Sequence, residues 1–434
     1  MADWITLREY ERLDATDRRL TGEEFDALEE FVLDYQARHK KGVLEIAYSG
    51  GVKYFKPTHY VGLITLPDGK RIEILPKLAL AAHEEQSEEE QNQQTREFFF
   101  TMLCACGVIP RAPSSHSSLD HRHVDMLECF YAAFVEAAQK LVRQGLASGY
   151  HPQTGNEPFL KGRLELAGHI RYNAAHQERF YVTYDVFDQD REENRLIKTA
   201  LVSLERRTAS MALRGQIHHL LEEMEGISLS VDPAAEFGRL AKDRSVSRYR
   251  EALEWVRLFL FHESFTTFSG ENGTRAALFP MERVFQDYVA LQLRQELTGE
   301  GWTVTTQDRG YYLFHDGNRG WFRLQPDILL THGRGADKQV FVMDTKWKRL
   351  DSKARSAGFS QADFYQMYAY GKKYRARRVV VLYPRPDDEE TFRKLNGMTF
   401  NSADTQDPVT VEVRLLRTDR IKEELVPYVR ELLI

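Results

Sequence analysis

Two periods of apolar and polar residues alternate along this chain. Up to about residue 80 the period is two. Val43–Tyr48, Val52–Lys56, Tyr60–Leu66 and Arg71–Pro76 read as strands, and Trp4–Arg8 reads as a shorter one. Gly50-Gly51 and Pro67-Asp68-Gly69 supply the turns between them. One helix interrupts, over Gly22–Arg38, with Thr21 placed to cap it and Glu24 three residues on. The segment Ala82–Glu97, AHEEQSEEEQNQQTRE, has almost nothing apolar to bury and reads as a linker or solvated loop. Helical spacing then takes over. It begins at Phe98–Gly107, resumes after the Pro- and Ser-rich loop Pro110–Ser118 as a long amphipathic helix Leu119–Leu146, and continues in Leu204–Gly226 and Ser245–His262. Leu160–Leu204 reads as two strands entering a helix.

From residue 265 the two periods mix. Phe279–Leu293 is a helix, Ser360–Tyr374 another, Val379–Tyr383 and Val409–Leu416 are strands, and a helix closes the chain. The pattern predicts a multidomain α/β (α+β) protein. Its parts are a β-rich domain over 1–80, an acidic Gln-rich linker over 81–97, a mostly helical region over 98–264, and a mixed domain over 265–434.

The stretch with the most chemistry is Leu324–Lys348, LQPDILLTHGRGADKQVFVMDTKWK. Gln325–Thr331 and Gln339–Lys346 read as two strands about the turn His332–Asp337. A hairpin centred on Gly335–Ala336 sets Asp327 opposite Asp344. Alternation puts Asp344 and Lys346 on one face. Two carboxylates and an ammonium then meet at one end of a largely buried hairpin. Buried charge is costly unless paired or bound to metal. A hard divalent cation held by two carboxylates beside a lysine suits phosphodiester hydrolysis.

Composition narrows this. The chain has 434 residues, 42% of them hydrophobic, and a net charge of −6. Nucleic-acid contact therefore needs a local basic patch. Lys346, Lys348, Arg349, Lys353 and Arg355 form one candidate; Lys372, Lys373, Arg375, Arg377 and Arg378 form another. The three cysteines, Cys104, Cys106 and Cys129, include no C-x-x-C pair and point to a reducing compartment. His116, His121 and His123 beside Asp120 and Asp125 match no zinc spacing. There is no signal-peptide pattern and no run of about 18 apolar residues, so a cytoplasmic protein without a membrane span is expected. Neither G-x-x-x-x-G-K-[ST] nor G-x-G-x-x-G occurs, so GTP or ATP is not bound through these motifs.

Pro326-Asp327 followed by Asp344-Thr345-Lys346 resembles the PD-(D/E)xK nuclease signature. Gln366 and Tyr370, one turn apart on the following helix, resemble the Gln-x-x-x-Tyr element of its RecB-like branch. Two further stretches, Tyr60–Lys77 and the central LKGRLELAGHIRYN…RFYVTYDVFDQDREENRLIKTAL, resemble the McrC family. The resemblance implies a restriction-endonuclease-like domain over 265–434 and an Mg²⁺-dependent endonuclease subunit of a modification-dependent restriction complex. It further implies an AAA+ GTPase ring of the McrB type as partner, with GTP bound there, and double-stranded DNA as substrate. Asp327, Asp344 and the Thr345 carbonyl would hold the metal; Lys346 would orient or help deprotonate the attacking water and offset charge on the scissile phosphate, and Gln366 would position substrate or the lysine. McrC relatives carry Phe-Glu where this chain has Phe285-Gln286, which leaves the third acid open; Glu282, one turn earlier on the same face, is a candidate substitute, and Asp287 is expected to face elsewhere. Asn194, Arg195 and Lys198 are expected to be structural, the alternative being contact with DNA or the motor. Two other readings stay open: a non-catalytic activator of the motor, or a stand-alone RecB-like nuclease.

Overall fold

The computed structural model describes residues 4–39, 42–77, 87–109, 126–176, 178–208, 210–240, 244–261, 266–269, 274–317, 319–404 and 406–433. By its internal contacts the chain divides into 113–264 and a discontinuous unit made of 2–112 and 265–434.

The first segment of the discontinuous unit contains strands β1 (Trp4–Arg8), β2 (Leu13–Asp14), β3 (Leu44–Ser49), β4 (Val52–Pro57), β5 (Tyr60–Thr65) and β6 (Arg71–Leu75). Its helices are α1 (Gly22–His39) and α2 (Glu88–Ala105). The N-terminus of α1 is closed as the sequence predicts: Glu24 N–H donates to Thr21 Oγ1 at 3.2 Å, and Glu24 accepts from the Thr21 amide. The linker expected over 81–97 is corrected from residue 88 onward, because α2 begins there. Ser87 and Glu90 form a reciprocal capping box. About two turns further, Arg96 pairs with Glu73 of β6 at 2.7 Å, with both side chains buried. Phe99, Phe100, Met102 and Leu103 then enter the core. The polar first half of α2 hides this from any reading that stops at residue 97.

The contiguous unit holds α3 (Met126–Arg143), β7 (Gly149–Glu157), β8 (Arg163–Leu164), α4 (Leu166–Asn173), β9 (Phe180–Asp188), α5 (Glu192–Glu205), α6 (Met211–Glu223), α7 (Pro233–Leu240) and α8 (Arg250–Phe261). A sheet in the order β7-β9-β8 interrupts the helices. The sequence missed β7, and the segment read as the first strand of the pair is mostly α4. Asn194, Arg195 and Lys198 are spent on this fold. Fully buried Asn194 donates to the carbonyls of Ala147 and Gln189 and accepts from Tyr249. Lys198 donates to the carbonyls of Met224 and Ile227, and Arg195 faces Asp190 and Glu236. The histidines at 116, 121 and 123 and the acids at 120 and 125 lie outside the described residues.

The last segment runs β10 (Thr266–Ser269), β11 (Arg275–Pro280), α9 (Met281–Leu297), β12 (Trp302–Thr306), β13 (Tyr312–Asp316), β14 (Arg319–Arg323), β15 (Ile328–His332), β16 (Gln339–Thr345), α10 (Gln361–Tyr374), β17 (Arg378–Pro384), α11 (Glu389–Leu395), β18 (Thr399–Asn401), β19 (Thr410–Leu416) and α12 (Ile421–Glu431). Six strands form one sheet in the order β12-β15-β16-β17-β19-β18, parallel only across β16-β17-β19. β11 leaves this segment to pair with β5, completing the sheet β1-β6-β5-β11-β10. The stretch 1–80 therefore does not stand by itself, contrary to expectation. Ala276 and Leu278 share a core with Ile5, Ile64, Ile72 and Ile74, which neither segment can bury alone.

Candidate functional site

The expected hairpin forms. β15 and β16 pair with Ile328 opposite Met343, and one step further this register sets Asp327 opposite Asp344. Asp344 shares the face of Val342, whose core includes Met367, Tyr370 and Tyr374 of α10. This places the acid under the helix that carries Gln366.

The residues converge through a chain of contacts. Asp327 accepts from the Thr345 amide at 2.8 Å and the Thr345 hydroxyl at 2.7 Å through Oδ2, and from Gln307 at 3.0 Å through Oδ1. Lys346 Nζ lies 2.6 Å from Asp344 Oδ2, as an ion pair rather than an aligned hydrogen bond. It also donates to Gln366 Oε1 at 3.2 Å. Gln366 in turn donates to the Tyr370 hydroxyl at 2.7 Å, and that hydroxyl donates to the Gln325 carbonyl at 2.9 Å. All five residues singled out in the sequence — Asp327, Asp344, Thr345, Lys346 and Gln366 — are thus in one cluster.

Asp344 is 1% exposed. Burial, then repulsion from Asp327, pushes its carboxyl up to about 7, against the pull of Lys346. A rise from 3.8 to about 7 corresponds to roughly 4 kcal/mol against the ionised form. Burial opposes the Lys346 charge too. The carboxylates of Asp344, Asp363 and Asp327 outweigh it, and the ammonium is held above its ordinary range. The cluster therefore has a buried acid that resists ionising and a lysine that stays charged.

Lys346 opens onto a cleft of about 780 Å³ lined by Gln307, Arg309, Gln325, Asp327, Thr345 and, from α9, Glu282, Arg283, Gln286 and Asp287. Asp344 lies behind that wall. The expectation for α9 needs one correction. Asp287 faces the same cleft as Glu282 and Gln286, and its carboxyl is raised by burial and by Asp327. The helix turns about 100° per residue, so adjacent positions 286 and 287 both reach a wide groove.

Of the two basic clusters expected to meet nucleic acid, the one over 346–355 is largely neutralised within the protein, and the one over 372–378 only in part. Lys348 pairs with Asp363 at 2.8 Å, Arg349 with Asp387, and Lys353 with Glu390 at 3.8 Å. Lys372 pairs with Asp404 and Asp407, and Arg378 with Glu412. By contrast, Arg309 on the cleft rim has no ion-pair partner among the described residues.

The sequence missed three contributors. Gln307 lies at φ +51 and clamps Asp327 with its amide as well as its side chain. Glu9, on the strand-end of β1, accepts the Trp347 indole N–H at 2.8 Å and the Lys77 amide at 2.9 Å. This fixes the residue that follows Lys346, and Trp347 packs on Phe285 of α9 at 5.2 Å. Only the Asp-Thr-Lys-Trp order was a local signal for any of these.

Fold and site together define a mixed α/β protein with an acid–acid–lysine cluster at the end of a central sheet. A family model described as McrBC 5-methylcytosine restriction system component matches residues 55–384, and the chain belongs to that family. It is 23% identical over 275 residues to the Type IV methyl-directed restriction enzyme EcoKMcrBC of Escherichia coli (strain K12), a match covering 59% of this chain and 77% of the relative. Its fold matches a chain in the refined half-complex of Thermococcus gammatolerans McrB AAA+ hexamers with bound McrC. The TM-score is 0.72 at 19% identity, over 99% of this chain and 100% of that one. A second match, in the T. gammatolerans McrBC complex, has TM-score 0.51 and 22% identity over 68% of this chain and 88% of that one. No helix among the described residues is long and apolar enough to cross a membrane.

Proposed function

We propose that this chain is the DNA endonuclease subunit of a GTP-driven, modification-dependent restriction complex, and that its cleft cuts phosphodiester bonds. The observation that carries the reading is the cluster of Asp327, Asp344, Lys346 and Gln366, of which Asp327 and Lys346 line a polar cleft, in a chain of a restriction-system family. The six-stranded sheet with α9 and α10 is then the PD-(D/E)xK nuclease core. The partner is an AAA+ GTPase ring of the McrB type: the similar fold comes from a complex of McrB AAA+ hexamers with bound McrC, and this sequence carries neither G-x-x-x-x-G-K-[ST] nor G-x-G-x-x-G.

The donor set fits Mg²⁺. Asp327 and Asp344 offer carboxylate oxygens, Asp344 Oδ2 is buried without an aligned hydrogen-bond donor, and Thr345 adds a main-chain carbonyl. Among the described residues no group of three or more His, Cys, Asp or Glu is arranged to hold a metal. Two carboxylates nonetheless suffice for an ion that keeps several waters. Bound there, Mg²⁺ would polarise the scissile phosphate and supply hydroxide near neutral pH. Lys346 orients the attacking water and offsets charge on the phosphate, and Gln366 holds Lys346 in place.

The test is plasmid cleavage, methylated and unmethylated, by the full chain mixed with its AAA+ partner, GTP and Mg²⁺. Lys346→Ala is expected to lose at least about 10²-fold in rate. Gln366→Ala should lose about tenfold. Asp344→Ala should abolish cleavage yet still stimulate the partner's GTPase, and Mg²⁺ should raise the melting temperature of the wild type more than that of Asp344→Ala. Stimulation with no cleavage by the wild type on any modified DNA would leave only an activator role. Cleavage without the partner would make it a stand-alone nuclease.

A further inference from the structure

Between β12 and β15 the chain leaves the six-stranded sheet and returns as a separate ribbon, β13–β14. Its ladder sets Tyr312 opposite Arg323, Phe314 opposite Trp321, and Asp316 opposite Arg319. The base is held firmly. Leu324 N–H donates to the Tyr311 carbonyl, the Tyr374 hydroxyl donates to Asp308 at 2.7 Å, and Leu313 packs on the core under α10.

Beyond the base the ribbon is bare. Phe314 is 61% exposed, Phe322 70% and Trp321 40%. A cluster of exposed large aromatics on one short element marks an interaction surface. The backbone agrees. Phe322 sits at φ +55, a left-handed conformation that a bulky side chain rarely adopts, and it drops out of the ladder opposite Leu313. Its ring meets Phe314 edge to face at 6.2 Å. Strain of this kind concentrates where a side chain must be presented rather than packed.

The charge chooses the occupant. The chain is net negative, yet residues 309–323 hold Arg309, Arg319 and Arg323 against Asp316 alone. Arg319 lies over Trp321 at 4.2 Å; Arg323 lies 4.8 Å from the Tyr312 ring and donates through Nε to its hydroxyl at 2.9 Å; both arginines are exposed. Arg309 continues the line into the cleft beside Asp327.

We propose that β13–β14 grips duplex DNA next to the bond to be cut. The ribbon lies in a groove, Arg309, Arg319 and Arg323 contact phosphates, and Trp321 and Phe322 press on sugars and base edges. A two-stranded ribbon fits the major groove, and exposed apolar wedges serve the same end in the minor groove. The direction of the DNA past the ribbon rests on the nuclease reading of the cleft; the grip itself does not need catalysis.

The test is fluorescence anisotropy of a labelled duplex with the full chain in EDTA, so that cleavage plays no part, over a range of salt. Phe322→Gly relieves the left-handed strain, so its melting temperature should equal or exceed that of the wild type while its affinity falls by about tenfold. Arg319→Ala should lower the slope of log affinity against log salt by about one. Wild-type affinity in both variants overturns the proposal, as does failure of the wild type to bind duplex at low salt. Intact DNA affinity with lost stimulation of the GTPase partner would reassign the ribbon to a protein interface. Ribbon-dependent binding by a wild type that never cleaves would keep this proposal and reject the nuclease one.

Discussion

At the scale of single residues, Glu9 is the least expected participant. It is 1% exposed, and burial pushes its carboxyl up to about 7 despite the bonds from Lys77 and Trp347 and the nearby positive charge. The folded protein therefore holds a proton that the unfolded chain releases near 4.5. The stability from this group is fully present below about pH 4.5 and is lost as pH rises through about 7, roughly 3 kcal/mol in all. Glu9→Gln cannot titrate. Its stability relative to the wild type, followed by denaturant melts, should improve by up to that amount between pH 5 and pH 8. A difference that does not change with pH would mean that Glu9 is ionised throughout. The Asp327–Asp344–Lys346 set was legible in the sequence because a hairpin register and a period of two determine it. The Glu9–Trp347 bond was not, because its partners are 338 residues apart.

Among the elements, those with strong local signals formed where expected: the capped α1, the hairpins β3–β4 and β5–β6, and β15–β16. Failures came where the decisive contact was remote. The polar start of α2 becomes helix because Arg96 finds Glu73. β7, GYHPQTGNE, has little strand character and is recruited by nine-residue pairing with β9. The β5–β11 pairing likewise depends on a detail with no sequence pattern. Gly62 lies at φ +144, and a Cβ there would come within 2.0 Å of the Ala277 carbonyl oxygen. Gly62→Ala should therefore destabilise the discontinuous unit by at least about 1–3 kcal/mol, read as a lower denaturation midpoint. A midpoint equal to the wild type would show that the two strands can separate without cost.

For the whole molecule, the important fact is that residues 2–112 and 265–434 make one unit. The periodicity indicated strands at both places but could not say that they shared a sheet. A fragment of residues 265–434 would expose Ala276 and Leu278 and free the edge of β11. Such a fragment is expected to be insoluble or to lack a cooperative melt by circular dichroism. Supplying residues 1–112 in trans should restore solubility. A fragment that melts cooperatively by itself would show that the joint sheet is dispensable.

The pairing of β5 with β11 also governs how the chain is made. β5 ends at residue 65, and its partner does not begin until residue 275. At about 5–20 residues per second, the ribosome takes roughly 10–40 s to deliver that partner. Throughout that time the β5 edge is an open row of amides and carbonyls on a nascent chain, the kind of edge that recruits the wrong strand. Synthesis of this protein thus includes a fixed waiting period, and its yield should depend on whatever shields that edge until residue 275 emerges.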